Sequence, residues 1–228
     1  MENFDQTAYA SGKWFIHQQA ETRYLPKDRN YCVTAEYNVL DNPTTFGYTI
    51  GVTNKDADAN GNVREGNLCA YTPDSSTPSK LAVAVSLSLL FLVHLDVHKL
   101  HYLIALPLQP CFLPKFLSGP YWVVAYDESQ GYALVSGGQP ENEGENGCTT
   151  GTGTNNSGLW IFTRSQQRDE ALINNVRNIA TAAGFDVSVL NDVDQSNCDQ
   201  DEFGEPAQQN TGDVSSFLDM SMNLRGGE

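Results

Sequence analysis

The feature that most restricts this chain is its punctuation. Short alternating runs rich in β-branched and aromatic residues follow one another, each closed by Asn, Asp or Gly. Runs at 14–18, 31–39, 46–52, 63–72, 80–84, 121–126, 132–136 and 159–163 read as strands. Asn60-Gly61 marks a tight hairpin. One stretch alone has convincing helical spacing. Arg168-Asp169-Glu170 places acids at its start, Leu172, Ile173, Val176, Ile179 and Ala180 repeat along one face, and Gly184 ends it. A final short strand is expected over 186–190. A meander of strands exposes its edges unless it closes. The expected fold is therefore all-β: an eight-stranded antiparallel up-and-down β-barrel with one C-terminal α-helix packed outside. A barrel of eight strands has room inside for one small ligand.

Charge narrows the partners. The chain has 228 residues with 13 Lys+Arg against 28 Asp+Glu, a net charge of −15. No basic stripe is present to contact phosphates, so nucleic acid is excluded as a partner. The same balance disfavours electrostatic attraction to an anionic membrane, though not contact through an apolar patch. From Asp192 onward nine acids face one base, Arg225. Residues 1–198 are expected to form the barrel and 199–228 an acidic, disordered, solvated tail.

Residues 85–109 have a foreign composition, with nine leucines and no Gly, Asn or Glu. As a transmembrane helix the window fails, because His94, Asp96, His98, Lys99 and His101 interrupt it. It could form an apolar lid or membrane-touching loop at a barrel mouth. The favoured reading is a translated intron. Val85-Ser86 is how a GTAAGT donor reads in frame, a pyrimidine tract reads as Leu, Phe, Ser and Pro, and Gln109 is how a CAG acceptor reads. Joining Ala84 to Pro110 restores a strand and loop. His94, His98 and His101 have metal-like spacing, but no metal or other cofactor is expected.

Several motifs in order resemble the lipocalin family, in the branch of apolipoprotein D, bacterial lipocalins and plant temperature-induced lipocalins. Gly12-Lys13-Trp14 is similar to the family's opening. Residues 30–37, 121–127 and 132–137 are similar to its strands. Leu159-Trp160-Ile161-Phe162-Thr163-Arg164 resembles its third signature, and 184–187 with 194–198 its end. The resemblance implies that the Arg164 guanidinium stacks on the Trp14 indole, both as structural residues. It implies a Cys32–Cys198 disulfide. Among the other cysteines, Cys69 is expected near the closed end, and Cys111 and Cys148 are the candidate pair near the mouth. A disulfide wants an oxidising compartment, yet Met1-Glu2-Asn3 leads straight into the opening motif without a leader. A secreted or lumenal protein with a truncated start reconciles the two; with Met1 as the true start the protein is cytoplasmic and its thiols reduced.

What the resemblance implies for function is binding and transport of a small hydrophobic ligand, such as a lipid, sterol, retinoid-like molecule or pigment, in the barrel cavity, without catalysis. Trp122 and Tyr37 are the pocket residues it points to, and Tyr48 joins them because its alternation parity could face inward. Phe112, Leu113, Phe116 and Leu117 resemble an apolar mouth loop of the temperature-induced lipocalins, which implies peripheral membrane contact and a membrane-associated, lipid-protective alternative. A second alternative is an enzyme similar to the xanthophyll de-epoxidases, though no Cys-rich region accompanies the acidic tail. Asp56-x-Asp58-x-Asn60-Gly61 matches half of a calcium loop but reads as a polar hairpin turn. Asn155-Asn156-Ser157 is a glycosylation acceptor if the chain is secreted. His17 reads as a structural histidine.

Overall fold

A computed structural model describes residues 1, 4–85, 91–97, 100–106, 111 and 114–198, with 91–97 and 100–106 described by their backbone course. In chain order the elements are helix α1 (Gln6–Tyr9), then strands β1 (Gly12–Ala20), β2 (Tyr31–Val39), β3 (Ile50–Ala57), β4 (Val63–Tyr71), β5 (Lys80–Val85), β6 (Phe91–Val97), β7 (Leu100–Leu106), β8 (Gly119–Asp127), β9 (Tyr132–Ser136), β10 (Asn142–Gly144), β11 (Gly147–Thr149) and β12 (Leu159–Thr163), then helix α2 (Glu170–Ala182) and strand β13 (Leu190–Asp192). Strands β1–β5, β8, β9 and β12 pair antiparallel in sequence order, and β12 pairs back onto β1. The sheet is thus a closed eight-stranded barrel. β13 adds to the end of β1, where a bulge between Ile16 and Gln18 bends that strand away from β2.

Alternation along the strands splits the apolar residues into two cores. Trp14, Ile16, Val33, Tyr37, Val52, Ala70, Leu81, Val123, Val135, Trp160 and Phe162 pack together inside the barrel. Leu134, Leu159 and Ile161 face outward and meet Ile173, Val176 and Ala180 of α2. The run Leu159-Trp160-Ile161-Phe162 is apolar without a break because both faces of β12 are covered. α2 starts where the Asp169 carboxylate accepts hydrogen bonds from the Ala171 and Leu172 N–H groups. It ends at Gly184, whose φ of +88° suits a residue without a Cβ.

Three local expectations change. Strand β3 begins at Ile50, not at Phe46. Gly47 has φ +78°, its N–H donates to Thr44 O, and Thr44 Oγ1 accepts from Tyr48 N. Residues 44–48 are therefore a turn, and the alternation read across them is accidental. The stretch 186–190 is mostly a 3-10 turn, Val187–Val189, capped by Asp186, with the strand following at Leu190. Between β9 and β12, where no strand is expected, the chain forms the β10–β11 hairpin, which is tied to the end of α2 by Cys148 N to Gly184 O at 2.8 Å.

Two disulfides are present. Cys32–Cys198 has a Cα separation of 5.5 Å and fastens the end of the described chain to β2. Beside it Gln195 Nε2 donates to both Ile16 O and Val33 O, bridging the splayed strands β1 and β2. The second disulfide is Cys69–Cys111, not the candidate pair Cys111–Cys148, and it resolves a connectivity that the sequence leaves open. Cys69 is opposite Ala84 in the β4–β5 register, one residue from the end of β5, where the chain departs toward Cys111. The stagger of barrel strands puts it there, and β4 read alone does not show it. Cys148 is a free thiol on β11.

Strands β6 and β7 pair with each other, and among the described residues neither pairs with a barrel strand. The rest of the 85–109 window and the side chains of His94, His98 and His101 lie outside the described residues, as does the 199–228 tail. Among the described residues no helix is long and apolar enough to cross a membrane, and no cluster of His, Cys, Asp or Glu could hold a metal ion.

Candidate functional site

The barrel interior is graded from a plugged floor to an accessible upper wall. α1 closes the floor. Asp5 accepts from Ala8 N and caps the helix, and Tyr9 from its last turn enters the barrel with no exposed surface. Trp14 is equally buried, and its indole Nε1 donates to Tyr9 O at 3.0 Å. Arg164 lies against the other face of this plug, its guanidinium carbon 3.7 Å from the Trp14 ring centroid. The guanidinium also donates to Ala8 O at 2.7 Å, Ser11 O at 2.8 Å and Lys13 O at 3.2 Å, so one side chain holds β12, α1 and β1 together.

Above the plug three phenols meet. Tyr121 Oη lies 2.6 Å from Tyr9 Oη and 2.5 Å from Tyr37 Oη. Burial pushes all three hydroxyls well up, Tyr37 to about 12, so the cluster is neutral and protonated at physiological pH. The Tyr121 ring stacks on Trp160, with centroids 6.5 Å apart and planes 25° apart. Higher on the wall are Val52, Leu68 and Val83. Leu68, Val83 and Tyr121 point inward yet are only half-buried, and inward-facing Asn54 is exposed. The inner wall is partly accessible at their level.

The β1–β2 connection crosses the mouth. Tyr24 and Leu25 pack onto the interior core, Tyr24 Oη donates to Ser157 O at 3.3 Å, and Arg23 N donates to Thr152 O at 2.9 Å. On the far side Arg29 and Arg64 both grip Asp56, through Nε to Oδ1 at 2.7 Å and Nη2 to Oδ2 at 2.7 Å. At the hairpin tip Asp58 accepts from Asn60 N, Asn62 N and Asn62 Nδ2, which hold its carboxyl below the usual range. The calcium-like motif is thus spent on a turn and an ionic cluster.

The candidate residues separate. Tyr37 is in the hydroxyl cluster. Trp122 is on the opposite face of β8 from Tyr121 and Val123, outside the barrel, with the Lys80 ammonium 4.1 Å from its ring centroid. Its neighbour Tyr121 holds the inward position. Tyr48 is also outside the lumen, in a satellite cluster with Cys69, Ala84 and Cys111, edge-on to Tyr71. Its inward parity was inferred from a strand that begins two residues later. Phe116 and Leu117 are 82% and 48% exposed; Phe112 and Leu113 lie outside the described residues. Sequence reasoning missed Tyr121 and Trp160 as lumen residues because β8 and β12 are apolar on both faces, and a continuous apolar run carries no parity.

No family model matches the chain. Over 198 residues it is 24% identical to apolipoprotein D of Mus musculus and 27% identical to apolipoprotein D of Bos taurus, covering 86% of this chain and 80% of each relative. Among solved structures it is similar to apocrustacyanin C2, with TM-score 0.54 and 14% identity over 88% of this chain and 86% of that one. It is also similar to lobster apocrustacyanin A1, with TM-score 0.53 and 14% identity over 87% and 84%.

Proposed function

This chain is a lipocalin in fold with a sequence similar to apolipoprotein D, and from that premise we propose that it binds and carries one small hydrophobic ligand inside the barrel. The observation that carries the reading is the gradient of accessibility along the inner wall. A barrel packed only for stability would bury Leu68, Val83 and Tyr121 as fully as Trp14. Instead they border open space above a floor of neutral hydroxyls, an apolar pocket with a few convergent polar groups. The ligand rests on Tyr121 and Trp160, with Tyr37 behind them supplying an oriented hydroxyl. Trp122 and Tyr48 are not part of this pocket.

The chain is read as a carrier, not an enzyme, working in the oxidising compartment that two disulfides suit. Phe116 and Leu117 offer an exposed apolar foothold for transient membrane contact, flanked by Lys115, whose ammonium lies over the Tyr71 ring. The test is native mass spectrometry of protein purified from its own source. A co-purifying lipophile that is absent from Trp160→Ala is the expected result. Protein that is ligand-free and fails to take up any of a panel of sterols, fatty acids and retinoids overturns the reading.

A further inference from the structure

Strands β3 and β4 pair without a register shift from Ile50↔Ala70 to Ala57↔Val63. Val52 and Leu68 are opposed and belong to the interior core, so the opposed pairs Asn54↔Gly66 and Asp56↔Arg64, two and four residues on, share the inner face. Arg64 is the only cation at an inward-facing strand position among the described residues. Its Nε and Nη2 donate to Asp56 Oδ2, and Nη2 also to Tyr24 O at 3.1 Å. Nη1 has no acceptor among the described residues. Arg29 is more enclosed, its side chain 16% exposed. It donates to Asp56 Oδ1, Asp56 O and Asn62 O, and Asp58 stands 3.9 Å from its Nη1. The Arg64 side chain keeps 35% of its surface open.

We propose that Arg64 receives the acidic head group, a carboxylate or a phosphate, of an amphiphile whose apolar body lies against Leu68, Tyr121 and Trp160. This rests on the carrier reading and specifies its ligand. The two unused N–H donors of Nη1 form charge-assisted bonds to an anion that a neutral hydroxyl cannot match. Asp56 orients the guanidinium from one side, and the Tyr24 carbonyl from the mouth connection fixes it from another. On a chain with net charge −15 an anion finds little attraction elsewhere. The hydroxyls of the phenol floor are uncharged and paired with one another, so the apolar end of the same ligand, which enters first, rests against the Tyr121 and Trp160 rings.

The experiment compares three probes of equal chain length, oleic acid, oleyl phosphate and oleyl alcohol, by titration against the full chain at neutral pH. The acid or the phosphate binds at least about tenfold more tightly than the alcohol, and the stronger of the two identifies the source of the anion. Arg64→Gln removes that preference, so that the acid and the phosphate bind no more tightly than the alcohol. Asp56→Asn, which releases both guanidiniums from their carboxylate, strengthens acid binding. A purely structural role for Arg64 predicts the opposite for Asp56→Asn, since a loosened mouth weakens every probe alike. Equal binding of all three probes to the wild-type chain overturns the head-group assignment while leaving the carrier reading intact. Failure of all three to bind overturns both.

Discussion

Truncating Arg164 to alanine tests how the barrel is plugged. The guanidinium covers the Trp14 ring at 3.7 Å, a contact of about 0.5–2 kcal/mol when shielded. It also donates to three main-chain carbonyls, Ala8, Ser11 and Lys13. Hydrogen bonds to a charged group contribute about 1.5–3 kcal/mol each where buried. These carbonyls lie at the rim, where water replaces part of the loss. The ion pair to Glu128 adds about 0–1 kcal/mol, because Glu128 is 48% exposed. Arg164→Ala is therefore expected to lower unfolding stability by about 2–4 kcal/mol, a large share of the roughly 5–15 kcal/mol typical of a domain. Glu128→Ala should cost about 1 kcal/mol or less. Arg164→Lys keeps the charge but not the planar fork, and should fall between them. Urea denaturation followed by tryptophan fluorescence measures all three. A loss for Arg164→Ala no larger than that for Glu128→Ala would refute the claim that this side chain joins β12, α1 and β1.

The outer core gives a second expectation: Ile173→Ala, at a position 1% exposed between α2 and the barrel, costs about 2–5 kcal/mol in the same assay. Burial lowers the affinity of His17 for a proton, and its Nε2 donates to Ser165 O. The unfolded chain therefore takes up the proton first, so the His17 contribution is fully present above about pH 6.5 and is lost as pH falls below it. Denaturation midpoints at pH 7.5 and 5.5 should converge in His17→Gln, and an unchanged gap counts against this. Excising residues 85–109 should leave a folded barrel with the Cys69–Cys111 bond intact and a melting temperature no lower than that of the full chain. A collapsed fold, or a peptide from within 85–109 mapped in the native protein, sinks the intron reading. Mass spectrometry after alkylation without reduction should find one modified cysteine, Cys148; labelling at Cys69 or Cys111 contradicts the assigned pairing.

Much of the fold could be read before the structure, for physical reasons that particular residues show. The second half of β2 alternates cleanly because Glu36 and Asn38 face water while Ala35 and Tyr37 face the core. α2 announces itself through the Asp169 cap, one apolar face and Gly184. Parity offers no check where that contrast is missing, as at Trp122, which rested on the family resemblance. In β8 the outward Trp122 is as apolar as the inward Tyr121, the Lys80 ammonium lying over its ring, and a further register shift lies between Val123 and Ala125. Tyr48 failed for a different reason: Gly47 lets the chain turn within what looks like a strand. The Cys69–Cys111 bond and the Arg29–Asp56–Arg64 cluster depend on strand stagger and on a connection folding back over the mouth. Neither is encoded in local sequence.

The central claim is that the ligand lies inside the barrel against Trp160. Titration of a fluorescent lipophile into Trp160→Ala and Trp122→Ala, each first shown to be folded by its far-ultraviolet circular dichroism, tests it most directly. The account predicts a loss of about tenfold or more in affinity for Trp160→Ala and wild-type affinity for Trp122→Ala. Full binding by Trp160→Ala, with loss in Trp122→Ala, would contradict it.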